Sequence, residues 1–191
     1  MDNFMQNIDT TNNTEKLVAN SFGIEQEVPM INGTNGNDTF RSGSGDEIFQ
    51  AGSGVDTLVF SGQRSNYTVT KVTQNFALAI ADWIVTSPTE GKDMIKSVER
   101  LSFTDTSLAL DVDGNAGMAY RIYQAALNRS PDKFGLGYWI AVLDQGKGLN
   151  TVAEGFVNSS EFKSLYGNNP SNADLVTQFY QNVLHRAPDK A

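Results

Sequence analysis

The spacing of apolar residues along the chain changes twice, and each change marks a different kind of structure. Residues 1–30 are rich in Asn, Thr, Gln and Glu and hold one short apolar grouping, Leu17, Val18 and Phe22. Such a stretch buries too little surface to offset the entropy of ordering it, and it reads as a flexible N-terminal arm with room for a short helix over 14–21. From Ile31 to Phe60 an apolar residue returns every nine positions among Gly, Asp, Asn and Ser. Alternation follows at Asn66–Val72 and at Phe76–Val85 and predicts strands. A third apolar stretch, Val98–Phe103, comes after the turn-like Ser87–Asp93, so 65–110 reads as a small β-meander continuing the repeat.

After Asp111–Asn115 the spacing becomes helical, with Met118, Ile122 and Ala126 on one face and Tyr123 and Leu127 beside it. Thr151–Glu154 and Ser171–Asp174 have the form of capping boxes, and Pro131 and Pro188 suit first-turn positions. Four or five helices are expected between Asn115 and Lys190. Within them Ile122–Lys133 realigns on Phe179–Lys190, matching Tyr, Gln, Leu, Arg, Pro, Asp and Lys. The first copy runs on into Phe134–Leu143, whereas the second stops before its equivalent. The expected result is an apolar face around Phe179 and Val183 that either marks a fragment or is covered by another chain. The arm, through Leu17, Val18 and Phe22, is a candidate donor to that face, and such a head-to-tail contact would propagate a filament.

The nine-residue repeat has three copies, Gly33–Arg41, Ser42–Gln50 and Ala51–Val59. Glycines let the backbone turn sharply and aim carbonyl oxygens inward, and an acid after the turn adds a hard anionic oxygen, which is the ligand set calcium requires. The eighth residue of each copy, Phe40, Phe49 and Leu58, is then expected to enter a short strand and point into the core. The copies resemble the calcium-binding nonapeptide G-G-x-G-x-D-x-U-x of the RTX family of secreted bacterial proteins. That resemblance implies a short calcium-binding parallel β-roll with a β-strand cap, two nonapeptides per turn, so that loops on one side come from alternate copies. Asp38 and Asp56 should then share a side, with Gly33 in their turn and carbonyls near Asn35, Gly36, Ser53 and Gly54 completing a site. Glu47 falls on the other side, in a copy that departs from the pattern because Glu47 replaces the Asp and Asp46 precedes it, and these two acids are the calcium-ligand candidates there.

Asp111–Met118 begins like an EF-hand loop, but Ala116 and Ile122 stand where Gly and Glu are needed, so an N-cap and linker is expected there. Tyr120–Trp139 and Val152–Phe162 resemble a helical domain family of uncharacterised function found in secreted and surface-layer-associated bacterial proteins. Its signature R-x-P-D-x-x-G-L-x-Y-W is present as Arg129, Pro131, Asp132, Gly135, Leu136, Tyr138 and Trp139. Arg129 and Asp132 are expected to pin the turn as a charge-assisted pair, and Tyr138 and Trp139 to be core aromatics. The fold class is therefore α+β: arm 1–30, β-roll and cap 31–112, and a small all-α domain 113–191 with an incomplete second repeat.

Charge narrows the function. The 14 Lys and Arg stand against 22 Asp and Glu, a net −8, which repels phosphate backbones and attracts cations. Nucleic acid is not an expected partner, and neither is membrane insertion, since no apolar run approaches bilayer length. There is no cysteine, and hence no disulfide or thiolate site. The N-terminal stretch has acids where a secretory signal carries bases, and the RTX resemblance implies type I export instead, although the ending His185–Ala191 does not look like the signal for that route. The sole histidine, His185, stands where the other copy has Asn128, and no catalytic motif occurs, so no enzyme is expected. These readings converge on a secreted, calcium-dependent structural or assembly protein of the bacterial surface or matrix. Its expected partners are calcium, copies of itself or other surface proteins. An adhesin or polysaccharide-binding module, or a non-catalytic part of a larger secreted protein, is the alternative.

Overall fold

The computed structural model describes residues 15–17, 28–73 and 80–189, the first of these as backbone only. The chain divides into two compact units, Met1–Leu110 and Asp111–Ala191. It is a mixed α+β protein, with strands confined to the first unit and the five described α-helices to the second.

The first unit holds two sheets. The strands are β1 (Glu15–Leu17), β2 (Val28–Asn32), β3 (Thr39–Arg41), β4 (Ile48–Gln50), β5 (Thr57–Val59), β6 (Thr68–Lys71), β7 (Trp83–Ser87), β8 (Gly91–Lys96), β9 (Arg100–Ser102) and β10 (Ser107–Ala109). One sheet runs β1-β2-β4-β8-β7-β6 and the other β10-β9-β5-β3. Both are mixed: β2, β4 and β8 pair in parallel, as do β3, β5 and β9, while β1, β6, β7 and β10 add antiparallel margins. Within the repeat, register is set by its period. Ile31 lies opposite Phe49 and Phe40 opposite Leu58, residues two nonapeptides apart. The next rungs are Ile95 and Leu101, beyond the three copies.

The eighth residues enter strands as expected. Phe49 and Leu58 are buried with Ile95 and Leu101, and Phe40 packs on them from the side. Phe60, Tyr67 and Phe103 close one part of this core as an aromatic cluster, with centroids 4.8–5.2 Å apart.

Four expectations change. A simple meander over 65–110 gives way to an excursion. The β6–β7–β8 strands are antiparallel neighbours, but β8 and β9 rejoin the parallel ladders of the repeat. Ser87–Asp93 is not all turn, because β8 begins at Gly91. The strand expected over Phe76–Val85 begins only at Trp83, and residues 76–79 lie outside the described ones. Finally, residues 15–17 form a strand rather than part of a helix, with Leu17 opposite Val28. Val18 and Phe22 lie outside the described residues.

The second unit comprises α1 (Asn115–Leu127), α2 (Lys133–Asp144), α3 (Leu149–Asn158), α4 (Ser160–Tyr166) and α5 (Asn172–Leu184). Asp111 carries out the capping expected of its segment: its carboxylate accepts from the Ala116 N–H and its carbonyl from Gly114 and Gly117. Ser171 caps α5 as expected, accepting from the Asp174 N–H. Thr151–Glu154 does not start a helix, since α3 begins at Leu149 after a Gly148 cap. Pro131 stands before the Asp132 cap rather than in the first turn of α2. Pro188 is non-helical among the described residues. The core of this unit gathers Ala119, Tyr123, Ala126 and Leu127 of α1 against Leu143, Val152, Phe156 and Phe162.

Candidate metal centre

The turns that connect the two sheets carry the acids. Turn 33–38 leads from β2 to β3 and turn 51–56 from β4 to β5, and the parallel pairings stack one on the other. Contact is close enough to require glycine. A Cβ at Gly52 would lie 2.2 Å from the Thr34 carbonyl oxygen, and one at Gly54 would lie 2.6 Å from that of Gly36, with φ of +97° and +137°. These are conformations that cost other residues free energy.

Asp38 and Asp56 do share a side. The Asp38 carboxylate closes its own turn, accepting from the N–H and hydroxyl of Thr34. Oδ1 of Asp56 accepts the Asp38 N–H at 2.7 Å, and the Asp56 N–H donates in turn to Oε2 of Glu99 at 2.9 Å. The three acids thus form a ladder in which the N–H groups of Asp38 and Asp56 each find the next carboxylate, while the Glu99 N–H donates back to the Asp56 carbonyl. Asn37 bridges the same turns by accepting from the Val55 N–H.

Asn35, Gly36, Ser53 and Gly54 sit on the exposed rim, and Gly33 lies under the Ala51 carbonyl.

Glu47 lies in the turn from β3 to β4 and closes it by accepting from the Gly43 N–H. Its stacking partner is the β7–β8 turn. Gly91, at φ +76°, faces Gly45, and Asp46 accepts from the Lys92 N–H. Asp93 accepts from the Ser42 hydroxyl at 2.8 Å and from the Glu47 backbone. Asp93 therefore takes the role beside Glu47 that Asp56 takes beside Asp38.

Two atoms stand out. Asp56 and Asp93 are 0% and 1% exposed, and Oδ2 of the first and Oδ1 of the second have no hydrogen-bond partner. Burial raises both carboxyl pKa values, against the bonds from the Asp38 amide in one case and the Ser42 hydroxyl in the other, with neighbouring acids adding to the rise. Asp93 is pushed up to about 7. Buried Glu90 shows the contrast. Desolvation opposes its charge, but bonds from Ser61 and the Tyr67 hydroxyl outweigh it and hold its pKa below the usual value. Glu90 is a satisfied structural acid, whereas Asp56 and Asp93 each present an unused hard oxygen. The donors around them are carboxylate, hydroxyl and carbonyl oxygens, which fits calcium. Among the described residues no three acidic or histidine side chains converge on one point, so a bound cation would draw most of its ligands from turn carbonyls.

Asp93 and Glu99 were not among the expected site residues, yet the pattern marks them. Gly91-Lys92-Asp93-Met94-Ile95 repeats the G-x-D-x-U order of Gly54-Val55-Asp56-Thr57-Leu58. Ser97-Val98-Glu99-Arg100-Leu101 repeats it again with Ser97 in the glycine's place, at φ +55°. The excursion through β6 and β7 breaks the nine-residue spacing and conceals both.

In the helical unit the signature residues are packing devices. Arg129 pairs chiefly with Glu161 of α4, at 2.5 and 2.8 Å, and lies 4.0 Å from Asp132, which instead caps α2 through the Gly135 N–H. Half-buried Trp139 packs on Phe156 at 5.3 Å, but Tyr138 is 61% exposed and is no core residue. His185 ends α5 in the left-handed conformation, as Asn128 ends α1, which accounts for a polar residue at both positions. Phe179 is half-buried against Tyr166, and Val183 is exposed. No helix among the described residues is long and apolar enough to cross a membrane.

A family model described as "Domain of unknown function (DUF4214)" matches residues 153–191, which take in the end of α3 together with α4 and α5. No curated protein and no solved structure matches the chain.

Proposed function

We propose that this is a secreted, calcium-dependent structural or assembly protein of the bacterial surface or extracellular matrix, and not an enzyme. Calcium held by the stacked turns drives the first unit to fold. The observation that carries this reading is Asp56: wholly buried, bonded through one oxygen to the next turn, and left without a partner at the other. A buried unpaired carboxylate is costly, and a cation removes that cost while adding its own binding free energy to folding. Asp38 and Asp56, with carbonyls of Asn35, Gly36, Ser53 and Gly54, would hold one ion. Glu47, Asp46 and Asp93 offer a second place on the other side. The two parallel ladders, repeating every 18 residues through 33–59, support a short β-roll to which the antiparallel strands are added as a cap. Calcium-poor cytoplasm would leave the acidic turns unpaired, and the calcium outside the cell would complete them.

Thermal melts and sizing with chelator and with millimolar calcium test the reading. Calcium should raise the melting temperature by roughly 10 °C or more and produce larger species, by the linkage of ligand binding to stability. A melt and circular dichroism spectrum unchanged by chelation would sink the calcium reading. A calcium-loaded monomer that binds polysaccharide would favour the adhesin-like module instead, for which the exposed aromatics Phe134 and Tyr138, one turn apart on α2, offer a surface.

A further inference from the structure

Helices α1 and α5 are one helix written twice. Each has 13 residues, begins at Asn and ends at Leu. Each residue of α1 has its counterpart 57 positions on, as Ala125 has Asn182. Both helices stop on a left-handed residue, Asn128 or His185, whose N–H returns to the carbonyl of Gln124 or Gln181. Both are followed by Arg-x-Pro-Asp, and the arginine lies over the equivalent ring: Arg129 is 5.2 Å from Tyr123 and Arg186 is 5.3 Å from Tyr180.

Their burial differs along one face. Ala119, Tyr123, Ala126 and Leu127 of α1 are buried. Their counterparts are Val176, Tyr180, Val183 and Leu184, of which the three aliphatics are 48%, 50% and 52% exposed and the tyrosine is half-buried. On α1 the cover comes from the helices that follow it. The first turn of α2 passes so close that a Cβ at Gly135 would lie 2.2 Å from the Tyr123 hydroxyl. Phe156 of α3 meets the same ring edge-on at 4.7 Å, and Glu161 of α4 takes Arg129. The opposite side of α5 is already engaged, since Asn182 is 2% exposed and donates to the Ala125 carbonyl and the Tyr166 hydroxyl. The remaining face is thus a copy of a surface that forms core where its covering helices are present.

We infer that the Val176–Tyr180–Val183–Leu184 face of α5 is a docking site for a further helical unit of the same type as residues 133–166. The occupant's chemistry follows from what covers α1. Its first helix carries an Asp cap, a glycine that lets it pass the Tyr180 hydroxyl, and a tryptophan one turn on. A later helix brings an acid to Arg186, whose ion pair here is with Asp189 in its own turn, 2.9 Å away. This proposal does not depend on calcium. It replaces the N-terminal arm as occupant, because the arm lacks that pattern and its Leu17 is paired with Val28.

Residues 135–167 of this chain, appended after Ala191, fall in the register of the 57-residue repeat. The extended chain should melt at least about 5 °C higher than the original and bind less of a hydrophobic dye. Val183→Asp should lower the melting temperature by less than about 2 °C in the original chain and by more than about 5 °C in the extended one. Equal effects of Val183→Asp in the two chains would overturn the proposal. So would self-association of the original chain that Val183→Asp abolishes, which would assign the face to a second whole copy. Should the extended chain fail to fold, a synthetic peptide of residues 130–167 added to the unaltered protein must bind with a Kd below about 100 μM, and not bind the Val183→Asp variant, for the proposal to stand.

Discussion

Asp56 and Asp93 occupy positions from which water is excluded, yet each has one oxygen with nothing to bond. Replacing the carboxylate by an amide keeps the acceptor for the Asp38 N–H or the Ser42 hydroxyl and removes the charge. Without metal, Asp56→Asn and Asp93→Asn should therefore each raise the melting temperature by a few degrees, roughly 1 kcal/mol, while shrinking the calcium-induced rise. The pH dependence of Asp93 has a definite sign. Its folded pKa, about 7, lies above the ordinary value of 3.8, so the folded state holds the proton more tightly than the unfolded one. The stability it contributes is complete below the unfolded pKa and is lost as pH rises through 7. Metal-free protein should lose melting temperature between about pH 5 and 7.5, and Asp93→Asn should flatten that slope. A slope unchanged by the substitution would mean that Asp93 does not titrate in this range.

At the scale of elements, the turns work because backbone passes over backbone. Gly52 combines a positive φ with a carbonyl 2.2 Å from where a side chain would begin. Gly45, in the second copy, has neither constraint. Gly52→Ala should cost on the order of 2–3 kcal/mol in a denaturant melt, and Gly45→Ala less than about 0.5 kcal/mol. The comparison separates glycines that stack the turns from those that only share the composition. Strand β8 shows the complementary principle. It follows an excursion of more than thirty residues, yet its Met94, Ile95 and Lys96 pair with β4 in the register of the repeat, because Gly91 and Asp93 supply the same turn chemistry. In the helical unit the Arg129–Glu161 pair is more than a third exposed on both sides, and its value is in fixing α4 beside the α1–α2 turn rather than in stability.

For the whole molecule, a net charge of −8 favours cations at any acidic turn, but the buried acids put the expected ligand in the first unit. Hydrogen exchange should report this. Calcium should increase amide protection in residues 33–56 and 91–99 and leave 115–185 within error of the metal-free protein. Protection that rose only in the helices would displace the site from the turns. The two units also carry different repeats, one of nine residues that stacks backbone turns and one of 57 that stacks helices.

Much of the local structure was legible in the residues. The period of nine placed Phe40, Phe49 and Leu58 in strands, and the helical spacing and the Ser171 cap located α1 and α5, because these depend on interactions within a few residues; that Asp38 lies beside Asp56, 18 residues on, was implied by the resemblance of the copies to the RTX nonapeptide. Even the turn of Asp93 and the ladder position of Glu99 repeat a short pattern, hidden by the chain between them. Tertiary structure decided the rest. Which turn stacks on Glu47, which acid Arg129 meets and whether Tyr138 is covered all depend on segments far apart in the chain, and no local preference encodes that pairing. Burial was likewise invisible: Asp38 and Asp56 each stand two residues after a Gly and directly before a Thr, but only packing leaves Asp56 wholly enclosed with an oxygen to spare.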